Sequence, residues 1–181
     1  NADIAMYQAK ALGYNLCVSF NSLLNEINHR RNKLEILLKK TDFNQEFELY
    51  YQPQFSIPDK KLIGVEAVLR WNNPEYGAIA PGEFIPIAEV TNHIIPIGEW
   101  VMRQAIRQIS RWNEGYCQEL KMGINISPKQ LDNTDFVKIL KSEMDRCLAD
   151  ASWIDIEITE SIAIEGEYRI TMYDVLGRAQ G

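Results

Sequence analysis

The sequence Leu62-Ile-Gly-Val-Glu-Ala-Val-Leu-Arg-Trp71 predicts a β-strand with two different faces. Successive side chains of a strand point to opposite sides of the sheet. One face of this strand therefore carries Gly64, Glu66, Val68 and Arg70. A carboxylate and a guanidinium share that face, and on a lone surface strand such a pair contributes little to stability and says little about function.

Two later segments show the same division into an apolar and a polar face. In residues 121–127 the polar face carries Asn125, and in residues 153–160 it carries Glu157. Together with Glu66, these side chains offer the hard oxygen ligands that Mg²⁺ or Mn²⁺ prefers. We predict that the three side chains project into a common cavity at neighbouring strand ends. The alternative is that they only satisfy polar groups where the strands end.

The order of the predicted elements indicates an α/β fold. Residues 47–55 alternate as a strand, and a turn at residues 58–61 joins them to the strand that contains Glu66, which predicts an antiparallel hairpin. Residues 72–77 are predicted as a loop, residues 81–89 as a short helix and residues 97–112 as a long amphipathic helix. The two later strands are followed by helical patterns near residues 135–148 and 167–176, and this alternation is typical of a mostly parallel sheet. Active sites in such folds lie at the carboxyl ends of the strands. The predicted oxygen ligands lie at those ends.

Composition excludes several classes of protein. The chain has 181 residues, of which 46% are hydrophobic and 24% charged, as in an ordinary globular protein. No apolar run approaches the roughly 20 residues of a membrane span, and no signal peptide is visible, so we expect a cytoplasmic protein. The net charge of −6 disfavours DNA or RNA as a partner, since nucleic-acid binding depends on many Lys and Arg side chains.

Cysteine and histidine offer no recognisable site. Cys17, Cys117 and Cys147 are odd in number and widely spaced, so we expect structural thiols rather than disulfides or a thiolate zinc site. His29 and His93 are too few and too isolated for a histidine metal cluster or a Ser/His hydrolase.

Five blocks of the sequence resemble the EAL domain, a bacterial family of cyclic di-GMP phosphodiesterases named for a Glu-Ala-Leu signature. The blocks are Tyr51-Gln-Pro53, Glu66-Ala-Val-Leu-Arg-Trp71, Pro81-Gly-Glu-Phe-Ile-Pro-Ile-Ala-Glu89, Asn125-Ile-Ser127 and Glu157-Ile-Thr-Glu160-Ser161. Val68 stands where the signature has leucine, a change that we expect to affect packing more than metal binding. The resemblance implies an incomplete TIM-like (β/α) barrel of about four strands, with an antiparallel first strand and N-terminal helices.

The resemblance also implies a domain organisation. Ala2-Asp-Ile-Ala-Met-Tyr-Gln-Ala-Lys10, followed by Gly13, is similar to the last helix of a GGDEF (diguanylate cyclase) domain. We therefore assign residues 1–21 to a GGDEF tail, residues 22–41 to a connecting helix and residues 42–181 to the N-terminal half of an EAL domain. An upstream sensor would attach the parent protein to a membrane or leave it free in the cytoplasm.

The family's site residues map onto this chain one by one. By resemblance, catalytic Mg or Mn is coordinated by Glu66, Asn125 and Glu157. The cyclic dinucleotide is contacted by Gln52, Leu69 and Arg70. Glu160 joins Glu66 in catalysis by bracing a downstream loop. The residues themselves leave one alternative open, in which Arg70 is a structural partner of Glu66 rather than a phosphate contact.

In the family, a later strand bearing Asp-Asp-Phe-Gly-Thr-Gly completes the metal site, and this sequence reaches Gly181 before that strand. We therefore expect a fragment of a cyclic di-GMP phosphodiesterase, which forms linear pGpG, and expect the isolated fragment to be inactive. We also expect it to self-associate through the open half of the barrel. The alternative function is a non-catalytic module that binds cyclic di-GMP or another protein.

Overall fold

The structure, a computed structural model, describes residues 22–116, 119–132 and 135–158. The chain divides into two compact units, Asn1–Thr41 and Asp42–Gly181. The described part of the first unit is helix α1, Ser22–Leu38, which coincides with most of the predicted connecting helix. The predicted GGDEF-like segment, residues 1–21, lies outside the described residues.

The second unit begins with the predicted hairpin. A short helix α2, Phe43–Glu46, leads into strand β1, Phe47–Phe55, which pairs antiparallel with strand β2, Leu62–Asn73. The register places Gln52 opposite Glu66. Since directly opposed residues of an antiparallel pair share a face, these two side chains lie on the same side of the sheet.

The later strands run parallel to β2. Strand β4, Lys121–Ile126, pairs with β2, and strand β5, Ile154–Ile158, pairs with β4, which gives the sheet order β1-β2-β4-β5. This arrangement confirms the predicted α/β fold with an antiparallel first strand. It is one part of a barrel-like sheet, with β2, β4 and β5 ending on the same side.

A short strand was not predicted. Strand β3, Gly77–Ile79, pairs with the end of β2, where the sequence predicted a loop. The Asn73 carboxamide oxygen accepts hydrogen bonds from the backbone N–H groups of Glu75 and Tyr76, both at 3.1 Å. Gly77, with φ of 68°, then allows the chain to fold back on β2. The Asn73 side chain and Gly77 therefore stabilise a turn, so that β2 and β3 form a hairpin where the sequence predicted a loop.

Strand β2 has two different neighbours along one edge. Its residues Gly64–Ala67 pair with β4, whereas its last residues, Trp71–Asn73, pair with β3. Residues 68–70 lie between these two paired segments. The strand is therefore longer than its parallel neighbour, and its carboxyl-terminal half continues past the end of β4.

Helices cover one face of the sheet. They are α3, Pro81–Val90; α4, Ile94–Tyr116; α5, Pro128–Leu131; and α6, Phe136–Cys147, with a 3₁₀ turn at Ala151–Trp153. Helix α4 packs on β4 and α6 packs on α4. The sequence predicted α3, α4 and α6 but not α5. A predicted helical pattern at residues 167–176 lies outside the described residues.

The core lies between this helical layer and the sheet. Met122, Ile124 and Ile126 of β4 are buried on the helix side, as the alternation of the sequence predicts. At one end of the sheet, Trp71 packs edge-on against Phe84, with ring centroids 5.3 Å apart. Because the apolar residues of β2 and β4 face the helices, the polar set is left on the opposite face. In the described ranges, no helix has both the length and the apolar character needed to cross a bilayer.

Candidate functional site

The predicted oxygen ligands meet on the polar face of the sheet. Parallel pairing places Glu66 of β2 opposite Gly123 of β4, and Asn125 of β4 opposite Glu157 of β5. The Asn125 Nδ2 atom donates a hydrogen bond to Glu66 Oε1 at 2.6 Å. The side chains that the sequence placed on three separate strands therefore lie on one face of neighbouring strands.

Gly123 provides the space in which the two carboxylates approach each other. A Cβ atom at this position would lie 2.5 Å from Glu157 Oε1 and 3.7 Å from Glu66 Cγ. Both carboxylate side chains therefore lie over the glycine, and alanine would occupy the volume that the Glu157 carboxylate fills. Nothing in the sequence indicated a role for Gly123, because glycine has no functional group that a motif could reveal.

The site concentrates negative charge. Burial raises the pKa of Glu157 above its ordinary value, and the nearby carboxylates of Glu66 and Asp155 raise the pKa further. Asp155 is exposed and forms an ion pair with Lys121 at 3.4 Å. A cation placed between Glu66 and Glu157 would remove the repulsion that raises the pKa of Glu157.

The residues present fit a hard divalent cation. Two carboxylates and one carboxamide are the oxygen donors that Mg²⁺, Mn²⁺ and Ca²⁺ take. Within residues 22–116, 119–132 and 135–158, no group of three His, Cys, Asp or Glu side chains is placed to hold a metal ion. That finding agrees with the composition of this site, whose third donor is the amide of Asn125.

The predicted substrate contacts flank this cluster. Gln52 is exposed and lies opposite Glu66. Arg70 donates a hydrogen bond from Nη1 to the carbonyl oxygen of Leu69 at 3.0 Å, and its guanidinium lies 5.4 Å from the centre of the Tyr50 ring. In the part of the chain that the structure describes, no ion pair joins Arg70 to Glu66, and the role of Arg70 as a phosphate contact stays a prediction.

A cavity of about 230 Å³ lies beside Asn125, between the ends of β2 and β4 and the helices. Leu69 is buried on the helix side of β2 and lines this cavity together with Val68 and Ile85. Its polar lining includes Glu89 and Ser127, neither of which the sequence assigned a role. Their only signal was membership of the family blocks. Glu160 lies outside the described residues, so the structure places no side chain for it.

Comparisons with known proteins agree with this geometry. A family model described as EAL domain matches residues 35–178. The chain is 37% identical to the biofilm architecture maintenance protein MbaA of Vibrio cholerae over 92% of its own length and 21% of that protein. It is 32% identical to the cyclic di-GMP phosphodiesterase PdeR of Escherichia coli over 92% of its length and 25% of PdeR. The chain thus spans no more than about a quarter of these relatives.

Solved structures give the same result. The chain resembles the PaMucR phosphodiesterase in complex with c-di-GMP, with a TM-score of 0.68 and 35% identity, over 74% of this chain and 54% of that one. It also resembles the EAL enzyme Bd1971 in its cAMP- and cyclic-di-GMP-bound form, with a TM-score of 0.68 and 35% identity, over 77% of this chain and 39% of that one. By sequence match and by fold, the chain belongs to the EAL domain family.

Proposed function

We propose that this chain is part of a phosphodiesterase domain that hydrolyses cyclic di-GMP to linear pGpG in bacterial second-messenger signalling. The observation that carries the proposal is the meeting of Glu66, Asn125 and Glu157 at neighbouring strands, with Asn125 and Glu66 in direct contact. Homologous EAL domains are cyclic di-GMP phosphodiesterases. The same chemistry in this chain would need the same donors in one place.

EAL domains generally depend on a metal ion. We infer that Glu66, Asn125 and Glu157 hold Mg or Mn, which when bound would act as a Lewis acid on the phosphodiester and activate water. Asn125 would bind through its carboxamide oxygen, the atom that its present hydrogen bond to Glu66 leaves free. Glu157 would bind the cation in its deprotonated form. The positive charge of the cation would then offset the electrostatic repulsion between the Glu157 and Glu66 carboxylates.

The substrate would lie across the face that carries these donors. Arg70 is held by the Leu69 carbonyl and the Tyr50 ring, so its guanidinium is fixed in position for a phosphate oxygen. Gln52 is exposed beside Glu66 and would donate to the same ligand. Leu69 is buried on the opposite, helix side of β2, so its contact with the ligand is supported by the resemblance alone. By resemblance, Glu160 would act together with Glu66.

The test is hydrolysis of cyclic di-GMP by the full-length protein with Mg²⁺ or Mn²⁺. We expect pGpG to form, and we expect Glu66→Gln to lower kcat by at least about 100-fold, because it removes a metal ligand. Glu75→Gln, at an exposed position after β2, is the matched control and should leave kcat unchanged. Binding of cyclic di-GMP without any turnover would replace the phosphodiesterase with a binding module.

Two further predictions from the sequence stay proposals. An EAL domain that begins near residue 42 is supported by the compact unit that starts at Asp42, although the family match begins at residue 35. Self-association through the open side of the sheet is supported by the exposed apolar side chains of Tyr50 and Phe55 on β1, which are 56% and 57% exposed. Sedimentation at increasing protein concentration tests the second proposal, and a monomer at every concentration would contradict it.

A further inference from the structure

The residue that follows β4 is fixed by two hydrogen bonds from opposite directions. Ser127 Oγ donates to Glu89 Oε1 of helix α3 at 2.8 Å. The Ser127 backbone N–H donates to Gln130 Oε1 of helix α5 at 3.1 Å. Ser127 and Gln130 are only 6% and 4% exposed. Buried hydrogen bonds of this kind are costly to lose, because the groups left behind have no water to pair with.

Helix α4 contributes a third element to the same point. A Cβ atom on Gly98 would lie 1.9 Å from Nε2 of Gln130. The Gln130 amide therefore occupies the space that a side chain at position 98 would take. This close approach of helix and amide fixes the orientation in which Gln130 accepts the hydrogen bond from Ser127. Ser127 therefore hydrogen-bonds to residues of α3 and α5, and α4 packs against Gln130.

Ser127 lies two residues beyond Asn125, directly after the last residue of β4. Ile126, between them, is 1% exposed and packed in the core. The backbone from Asn125 to Ser127 therefore has little freedom, and the position of Ser127 limits where the Asn125 carboxamide can lie. The hydrogen bond from Asn125 to Glu66, at 2.6 Å, requires that carboxamide to be placed accurately.

We propose that Ser127, held by Glu89 and Gln130, positions Asn125 for metal binding. We call these three residues the Ser127 clamp. They are positioning residues, because none of them hydrogen-bonds to Glu66, Asn125 or Glu157 in the described contacts. The inference rests on the proposed function, since it assigns the clamp a role toward the proposed metal site.

The first arm of the test needs no metal. Hydrogen exchange of the segment 121–127, followed by mass spectrometry on the full-length metal-free protein, reports how firmly the end of β4 is held. We expect Ser127→Ala to speed exchange of this segment several-fold. Ser110→Ala is the matched control, because Ser110 is also buried, at 4% exposure, and donates one hydrogen bond, to the Ile106 carbonyl in α4. Equal exchange in both variants would overturn the proposal.

The second arm measures Mn²⁺ binding by electron paramagnetic resonance. We expect Ser127→Ala to raise the Kd for Mn²⁺ about tenfold, as loss of supporting hydrogen bonds around a metal site does. Glu89→Gln keeps an oxygen acceptor for Ser127 and should bind Mn²⁺ nearly as tightly as the unaltered protein, whereas Glu89→Ala should be as weak as Ser127→Ala. Equal Kd values for the two Glu89 variants would contradict the clamp, and this pair decides the question if Ser127→Ala does not fold.

The two arms separate the inference from the function on which it rests. If the unaltered protein bound no Mn²⁺, the proposed metal site would fail, and with it the role of the clamp toward a metal. Faster exchange in Ser127→Ala would in that case still support the positioning of Asn125 by Ser127. Normal Mn²⁺ binding in the unaltered protein and in Ser127→Ala would leave the metal site intact and reject the clamp.

Discussion

At the scale of single residues, the arrangement of the site depends on having glycine, which has no side chain, at position 123. Gly123 allows the carboxylates of Glu66 and Glu157 to lie over the backbone of β4. Burial raises the pKa of Glu157, and the neighbouring carboxylates of Glu66 and Asp155 raise the pKa further. Carboxylates brought together in this way are common at functional sites.

We predict that Gly123→Ala weakens divalent-metal binding by about tenfold or more, because the new methyl group displaces the Glu157 carboxylate from its place beside Glu66. Mn²⁺ titration of the full-length protein measures the effect. Gly82→Ala is the control, since a Cβ at Gly82 would meet nothing within 4 Å. Unchanged affinity in Gly123→Ala would show that Glu157 is not a metal ligand in this chain.

The sequence predicted the residues of this site that carry functional groups better than it predicted the role of the glycine between them. Alternation along the strands placed Glu66, Asn125 and Glu157 on one face, because the two-residue repeat of a strand is local. The importance of Gly123 could not be predicted, since it depends on the distance to a carboxylate on another strand. Arg70 was assigned to the correct face, but its contact with the Tyr50 ring depends on the hairpin register.

At the scale of elements, helix α4 contains two glycines in very different surroundings. Gly98 lies against the Gln130 amide, whereas a Cβ on Gly115 would have open space around it. Glycine inside a helix costs about 1 kcal/mol relative to alanine, so it remains only where something requires it or where little is lost. The two positions therefore form a natural pair for mutation.

We expect Gly98→Ala to lower the free energy of unfolding by about 1–3 kcal/mol, because the displaced Gln130 amide leaves the buried N–H of Ser127 without its acceptor. Gly115→Ala should instead raise the free energy of unfolding by up to about 1 kcal/mol through helix propensity alone. Urea denaturation of both variants measures the difference. Equal effects at the two positions would contradict the close packing around Gln130.

Long elements were predictable and short ones were not. Helix α4, 23 residues from Ile94 to Tyr116, repeats its apolar residues over several turns, and the β1–β2 hairpin alternates over both strands. Helix α5 and strand β3 are too short for any repeat. Each is supported by a side-chain acceptor. The Gln130 carboxamide oxygen accepts from the Ser127 backbone N–H next to α5, and the Asn73 carboxamide oxygen accepts from the Glu75 backbone N–H in the turn before β3.

At the scale of the whole molecule, one buried carboxylate links helices α4 and α6. Glu143 of α6 is 1% exposed and accepts hydrogen bonds from Arg107 of α4 at 3.0 Å and from Arg146 of its own helix. Arg103 adds a longer contact at 3.4 Å. The arginines are partly exposed, so they keep much of their hydration while Glu143 loses its own. The pairing therefore holds α6 against α4.

The pH dependence of stability follows from this pairing. The hydrogen bond from Arg146 holds the pKa of Glu143 below its ordinary value of 4.5, and Arg107 lowers the pKa further. Because the folded-state pKa is below the unfolded one, the stabilisation is complete above the unfolded value. It is lost as the pH falls through the folded pKa. Acid should therefore weaken the contact between α4 and α6.

We predict that Glu143→Gln lowers the free energy of unfolding by about 1–3 kcal/mol at neutral pH, with a smaller difference in acid, where Glu143 itself becomes protonated. Urea denaturation at neutral pH and well below pH 4.5 measures this change. Glu48→Gln, at an exposed position that accepts one hydrogen bond from Asn72, should change stability by less than about 0.5 kcal/mol. A difference that grew in acid would contradict the assignment of the pKa direction.

The fold class was predictable because strands and helices alternate along the chain, and the family resemblance added the barrel. The packing of α6 on α4 through Glu143 was not predictable, because the two α4 arginines that contact it lie 36 and 40 residues away in sequence. Charged residues in a helical pattern normally indicate the face of the helix that is exposed to solvent. Only the three-dimensional structure shows that one of them is buried.

The unequal length of β2 and β4 has one more consequence. Between its paired segments, residues 68–70 of β2 pair with no described strand along that edge, and Val68 and Leu69 line the neighbouring cavity. Amide and carbonyl groups along such an edge are the same whatever residue stands there. Valine in place of leucine at position 68 therefore changes one side chain of the family signature and leaves the main-chain groups of this edge unchanged.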